Sequence, residues 1–222
     1  GTTFTLRGDP GRTAAGYTAQ GWARGANQTA RAYTFGQSVS NLATSGNFDL
    51  YVAETPNTYN VRYFTKDGTH IGTDAKTYDA WFNLRGNPNR THPAYTAQGW
   101  ARSAGQASAS HTFGFWTHNL ATSGNFDLYL AETANTYTIA YDTQGGTLGD
   151  RRTSYTFETA DFALAVPARV GYTFAGWEVA GAQGSGVVVA GGQTTVRQGT
   201  WGNLTCTAKW QPNEYAVTLD AA

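Results

Sequence analysis

The sequence predicts a mostly β chain arranged as an elongated tandem array, and three observations carry that prediction. The first is a motif that occurs three times, as Gly16-Tyr-Thr-Ala-Gln-Gly-Trp22, Ala94-Tyr-Thr-Ala-Gln-Gly-Trp100 and Gly171-Tyr-Thr-Phe-Ala-Gly-Trp177. The second is self-similarity: Phe4 to Tyr63 lines up without a gap on Phe82 to Tyr141, 78 residues further on. A fixed period of this length marks a repeat architecture. The third is composition. Aromatic residues make up 14% of the chain and charged residues 14%, with 27 glycines dispersed at turn-like sites. Aromatic and β-branched side chains suit a half-buried pleated surface, and aperiodic glycine excludes collagen.

The period divides the chain. Tyr59, Tyr137 and Tyr215 mark equivalent starts. Residues 1–58 are a partial repeat without its opening hairpin, 59–136 and 137–214 are complete repeats, and 215–222 is the opening strand of another. The Asn-Thr-Tyr junctions at 57–59 and 135–137 leave no flexible linker, so neighbouring repeats are expected to hold fixed positions. The sequence opens at Gly1 in mid-pattern without a signal-peptide pattern, and it is expected to be a piece of a longer protein.

Each element follows from local pattern. The opening run alternates, with Tyr59, Val61 and Tyr63 on one face and Asn60 and Arg62 on the other, which gives a strand with one buried face. Asp67-Gly68 and Gly145-Gly146 permit the positive φ of a tight turn. A second strand is expected over 77–81 and 153–157. A Pro-containing loop leads into the Tyr-Thr-x-x-Gly-Trp strand. The glycine before each tryptophan predicts a bulge that turns the indole to the same face as the preceding tyrosine. The closing strand alternates through Phe48, Leu50 and Val52, then Phe126, Leu128 and Leu130, then Leu204, Cys206 and Ala208. The predicted core is Tyr17, Trp22, Leu50, Tyr95, Trp100, Leu128, Tyr172, Trp177 and Cys206. The cysteine stands at a leucine position, as a small buried hydrophobe.

Tyr137-Thr-Ile-Ala-Tyr-Asp-Thr-Gln-Gly-Gly-Thr, Pro167-Ala-Arg-Val-Gly-Tyr-Thr-Phe-Ala-Gly-Trp177 and Leu204-Thr-Cys-Thr-Ala-Lys-Trp210 together resemble the Listeria–Bacteroides repeat, the internalin B-type B repeat of bacterial surface proteins. The resemblance is most specific over 137–214. The two upstream copies place Ala19 and Ala97 where the family has Phe. They also end in Glu54 and Glu132 where it has an aromatic such as Trp210, which predicts a repacked sheet edge. The resemblance implies small α+β, β-grasp-like units with at most a short helix. It further implies an extracellular setting on the bacterial surface or cell wall, and a role as stalk, spacer or adhesin segment. A host surface protein or a glycan is the partner this implies.

Composition narrows the function classes. Net charge is zero, which offers nothing to nucleic acid. No run of 18 apolar residues exists, so no membrane insertion is expected. One cysteine and no methionine exclude an internal disulfide and a Cys-based metal site. His70, His92, His111 and His118 are scattered and match no ligand pattern. Gly181-Ala-Gln-Gly-Ser-Gly186 precedes a valine run rather than a helix and lacks the Lys-Ser/Thr ending of a phosphate loop. The repeated carboxylates Asp49/Asp127 and Glu54/Glu132 read as exposed strand positions that protect an edge. No catalytic set, cofactor motif or metal site emerges, and the chain is read as non-enzymatic. Arg7-Gly8-Asp9 spells an integrin-type tripeptide, but its counterpart is Arg85-Gly86-Asn87, and a turn needs such residues there in any case.

Two features remain. Trp81, Trp116 and Trp201 have no tryptophan counterpart in the first repeat. They either form a platform on which sugar rings stack, making the chain a carbohydrate-binding module, or they cap local cores. The partial first repeat and the unpartnered strand from Tyr215 predict weak head-to-tail self-association by strand addition.

Overall fold

A computed structural model of the chain describes residues 2–219. Every regular element among them is a strand, and no helix occurs. The helical part of the expected α+β character is therefore not found. The connections long enough to hold a helix carry Gly86, Pro88 and Pro93, or Gly105 and Gly114 at φ of 76° and 68°, and these residues interrupt helical propagation.

Four strands cover the first repeat: β1 (Thr3–Thr5), β2 (Tyr17–Ala23), β3 (Ser38–Ser40) and β4 (Tyr51–Pro56). Six follow: β5 (Thr58–Phe64), β6 (His70–Thr77), β7 (Phe82–Asn83), β8 (Tyr95–Ala101), β9 (Trp116–Thr117) and β10 (Asn125–Ala134). The last nine are β11 (Thr136–Asp142), β12 (Ser154–Thr156), β13 (Phe162–Ala163), β14 (Tyr172–Ala180), β15 (Gln183–Gly184), β16 (Val187–Ala190), β17 (Gln193–Val196), β18 (Thr200–Trp201) and β19 (Leu204–Pro212). The chain forms two compact units. One runs to Arg90 and takes in Ala97–Glu132, and the other joins Thr91–Thr96 to the residues from Thr133 onward.

The first unit is centred on the sheet β6-β5-β10-β8. β5 and β6 form a hairpin closed by Gly68 at φ 92°. The second strand therefore begins at His70, earlier than the alternation around Thr77 predicts. The opening strand β5 then pairs in parallel with the closing strand β10, Val61 against Phe126 and Tyr63 against Leu128. Tyr59, Val61 and Tyr63 point into the core against Phe82, Leu84, Trp100, Leu128 and Leu130. Tyr63 packs edge-on to Trp100, with ring centroids 4.8 Å apart. The Trp100 indole donates to the Arg85 carbonyl at 2.7 Å, and the Arg85 amide donates to the Tyr63 hydroxyl at 3.3 Å. Burial pushes the Tyr63 phenol up to about 12.

The second unit is built around β12-β11-β19-β14, the same order of opening and closing strands. Ile139 faces Leu204 and Tyr141 faces Cys206 in parallel register. Cys206 thus takes the place that Leu128 holds against Tyr63. It is fully buried, and burial pushes its thiol up to about 11, which leaves it unreactive.

The glycine before the tryptophan marks a bulge, with register shifts at Ala19/Gly21 and at Phe174/Gly176. Gly21, Gly99 and Gly176 have φ of 147°, 139° and 123°. Phe174 and Trp177 consequently meet on one face, rings 5.4 Å apart. A Cβ at Gly99 would lie 2.4 Å from the His111 carbonyl oxygen, so close backbone approach adds to the conformational requirement.

The edge substitutions between repeats turn out to be cross-strand partners. Phe174 stands opposite Trp210 in β14 and β19, and Ala19 stands opposite Glu54 in β2 and β4. Trp210 packs on Phe174 at 5.6 Å. In the upstream copy, Glu54 instead accepts a hydrogen bond from the Ala14 amide at 3.0 Å. The matching Glu132 is buried and Glu54 half-buried, so neither is the exposed position that alternation predicts; a loop runs along each strand end, the Glu54 and Glu132 amides donating to the Gln28 and Gln106 carbonyls at 3.2 Å.

Candidate functional site

The residues expected to stack a ligand separate into two places. Trp81 and Trp116 come together in the first unit, while Trp201 lies in the second. The ribbon β7–β9 pairs Asn83 with Trp116 and Phe82 with Thr117. Alternation sends Phe82 into the core and puts Trp116 on the outer face, next to Asn83. Continuing the register sets Trp81 across from His118, and their rings meet edge to face at 4.3 Å. The two indoles lie diagonally, stacked at 5.8 Å with planes 13° apart. Both are well exposed, Trp81 at 57% and Trp116 at 56%.

A polar rim adjoins the pair. Asp79, in the turn before Trp81, accepts hydrogen bonds from the Tyr17 hydroxyl and the Asn119 amide, and its own backbone amide donates to the Asn119 side chain at 2.6 Å. Those bonds, the Tyr17 one foremost, hold the Asp79 carboxyl below the usual range. A carboxylate so held stays ionised near neutrality, so the rim can accept hydrogen bonds from hydroxyl groups. The arrangement offers flat apolar faces beside acceptors, which suits the C–H face and hydroxyls of a sugar.

Trp201 is half-buried, opposite Gln183 in the β15–β18 ribbon, with its ring 6.2 Å from that of His92. His111 sits against Phe115 and is pushed toward its neutral form by burial. Among the described residues, no three His, Cys, Asp or Glu side chains are placed to hold a metal ion. The Asp9 side chain accepts from the Gly11 amide at 2.9 Å, and Asn87 accepts from the Asn89 amide at 2.9 Å. Both residues close the same turn, which accounts for Asp9 without a ligand.

The predicted core residues fall into two groups. Trp100, Leu128, Trp177 and Cys206 are buried, while Trp22 and Leu50 are half-buried. Tyr17, Tyr95 and Tyr172 are also half-buried. Tyr17 leaves the core of its own repeat to pack edge-on against Tyr78 at 5.5 Å. Within the second unit, Tyr95 packs against Phe157 at 5.7 Å, and its hydroxyl donates to Glu158 at 2.9 Å. A half-exposed tyrosine tip is ordinary for a residue with one wet end, and the alternation alone did not distinguish it from a core ring.

Junction contacts were not evident in the sequence beyond their spacing. Asn57, Asn135 and Asn213 do the same work. Their amides donate to the carbonyls of Gly16, Ala94 and Gly171 at 2.8, 2.8 and 2.9 Å. Their side chains accept from Thr18, Thr96 and Thr173. Each asparagine therefore ties the end of a closing strand to the start of the Tyr-Thr strand.

A family model for the Listeria-Bacteroides repeat domain matches residues 1–52 and 137–209, more than half of the chain. No curated protein matches significantly, and no solved structure does. The matched segments hold the bulged Tyr-Thr-x-x-Gly-Trp strand of the first and third copies. The unmatched middle copy repeats the first at an offset of 78 residues. The chain belongs to the Listeria-Bacteroides repeat domain family.

Proposed function

We propose that the chain is a non-enzymatic spacer or stalk segment of a bacterial surface protein, built from tandem β units of about 78 residues and located outside the cell. The observation that carries this reading is the junction at Asn57. Its amide bonds back to the Gly16 carbonyl of the first repeat at 2.8 Å while its side-chain amide donates to the Thr122 carbonyl of the second at 3.1 Å, so this junction is held from both sides. Tyr17, bonded to Asp79 and packed on Tyr78, adds a lateral contact across the first junction. NMR relaxation tests this reading: residues 2–56 and 58–90 are expected to tumble with one correlation time, and Asn57→Ala is expected to separate the two values. Independent tumbling of the unaltered chain would refute a rigid spacer.

A second reading, a carbohydrate-binding module or adhesin segment, is favoured by the exposed Trp81–Trp116 pair. It is absent from the first repeat, where Thr3 and Ser38 occupy those positions. Binding to immobilised glycans that is lost in Trp81→Ala or Trp116→Ala, with folding intact, would favour this reading. A blank glycan array would leave the spacer.

A further inference from the structure

The second unit carries a strand whose free edge is apolar and bare. β16 lies at the end of the three-stranded sheet β13-β17-β16, so β17 is its one neighbour in that sheet. The hairpin that joins them turns at Gly191 and Gly192, with φ of 57° and 79°, the two positive values of a type I′ turn. That turn fixes the hydrogen-bond phase. Ala190 pairs with Gln193 and Val188 with Thr195, and beyond them the Arg197 amide donates to the Gly186 carbonyl at 3.1 Å. Val188 and Ala190 therefore direct their N–H and C=O groups to β17. The Thr194 carbonyl, opposite Val189, turns the other way and accepts from the Leu164 amide at 2.8 Å. The N–H and C=O groups of Val187 and Val189 consequently point out along the free edge, and no other strand among the described residues pairs with them.

This edge lacks the devices that guard the edges of the main sheets. From Val179 to Val196 there is no charged residue, histidine or proline. In the first unit the edge strand β6 carries His70, Asp74 and Lys76. At the other end of that sheet, β8 is covered by a loop whose His111 carbonyl accepts from the Trp100 amide at 2.8 Å. In the second unit the edge strand β14 carries Glu178, paired with Lys209. An apolar edge without such protection is a template for a further strand.

We infer that β16 is a docking edge for a second copy of this chain, the two β16 strands pairing antiparallel about a two-fold axis at Val188. The occupant follows from the spacing of the outward groups. Val187 and Val189 flank Val188 symmetrically, so each forms a hydrogen-bonded pair with Val189 or Val187 of the second copy, and none of these groups is left over. Val188 then meets Val188 of the second copy in the close, non-hydrogen-bonded pairing, apolar against apolar. The edge has no charge with which to select a charged partner strand, whereas a copy of itself matches it in spacing and in neutrality. Both copies use the same surface, so assembly closes at the dimer. A strand of four residues buries far less than a standard interface, so the dimer is weak and forms at high concentration. The consequence is lateral association between neighbouring chains, which goes beyond the spacer role.

Sedimentation of the full chain up to millimolar concentration tests this. The weight-average mass should rise toward the dimer and level there, and the Val187 and Val189 amides should exchange more slowly over the same range. Val188→Lys and Val188→Glu each set like charges face to face across the axis, and each variant alone should stay monomeric. An equal mixture of the two should recover the dimer through the opposite charges. Val188 is 46% exposed, so both replacements are expected to leave the fold intact, which circular dichroism checks. A flat monomer mass for the unaltered chain would overturn the inference, as would a mass that climbs past the dimer. Undiminished association of either charged variant, or folded variants that fail to pair when mixed, would overturn it as well.

Discussion

The first and second repeats share long identical blocks, yet they bury those residues differently. Leu128 is fully buried while Leu50 is only partly so, and Trp100 is fully buried while Trp22 is not. Both indoles keep the same hydrogen bond, Trp22 to the Arg7 carbonyl at 2.8 Å and Trp100 to the Arg85 carbonyl at 2.7 Å. Both strands keep the same positive-φ glycine. The difference is one strand. Residues 59–63 supply two tyrosines and a valine to the second repeat, and nothing among the described residues supplies them to the first. The local scaffold is thus set by neighbours within some forty residues, while closure of the core depends on a parallel strand from the start of the repeat.

Replacing the central tryptophan should break this comparison most strongly. Trp100→Ala is expected to cost about 3–5 kcal/mol, and Trp22→Ala roughly half of that because its site is already open. Denaturant unfolding followed residue by residue with NMR would separate the two.

Alkali comes next. Tyr63 is held above its unfolded value by burial, so its contribution is intact below pH 10 and disappears as the pH rises through about 12. Among the described residues no ring stands in that place in the first repeat. Circular dichroism between those pH values should report loss of the second repeat's core, and Tyr63→Phe should move the transition to higher pH.

A smaller effect distinguishes the bulge glycines. Gly99→Ala meets both a positive φ and the His111 carbonyl, whereas Gly176→Ala meets the φ alone, with nothing within 4 Å of the added carbon. Gly99→Ala should be the more damaging by about 1–2 kcal/mol. Equal losses would place the whole cost in the backbone.

The smallest effect belongs to the carboxylates. Asp127→Ala removes a bidentate pair with Arg62, at 2.7 and 2.6 Å, and should cost up to about 1 kcal/mol, less at high salt. Asp49→Ala should be near neutral.

The β class, the buried faces of β5 and β10 and the place of Cys206 were legible because each depends on alternation, which a sequence displays. The bulge was legible from a glycine inside a strand pattern. Three things were not. The second strand started earlier than its apolar residues indicated, since a tight turn at Gly68 rather than hydrophobicity sets its beginning. Glu132 read as exposed because strand alternation says nothing of a loop folded over the strand. The stacking of Trp81 on Trp116 needed the β7–β9 register, which two-residue strands do not announce. The ribbon's uniqueness to one repeat was nevertheless visible as tryptophans without counterparts.

Amide hydrogen exchange at residues 47–50 and 125–128 bears most directly on the role of the opening strand. The paired segment should exchange only with unfolding of its repeat, and the bare one should exchange at least about a hundredfold faster at concentrations where the chain is monomeric. Equal protection of both segments would contradict the account, because the first repeat would then be closed without an opening strand.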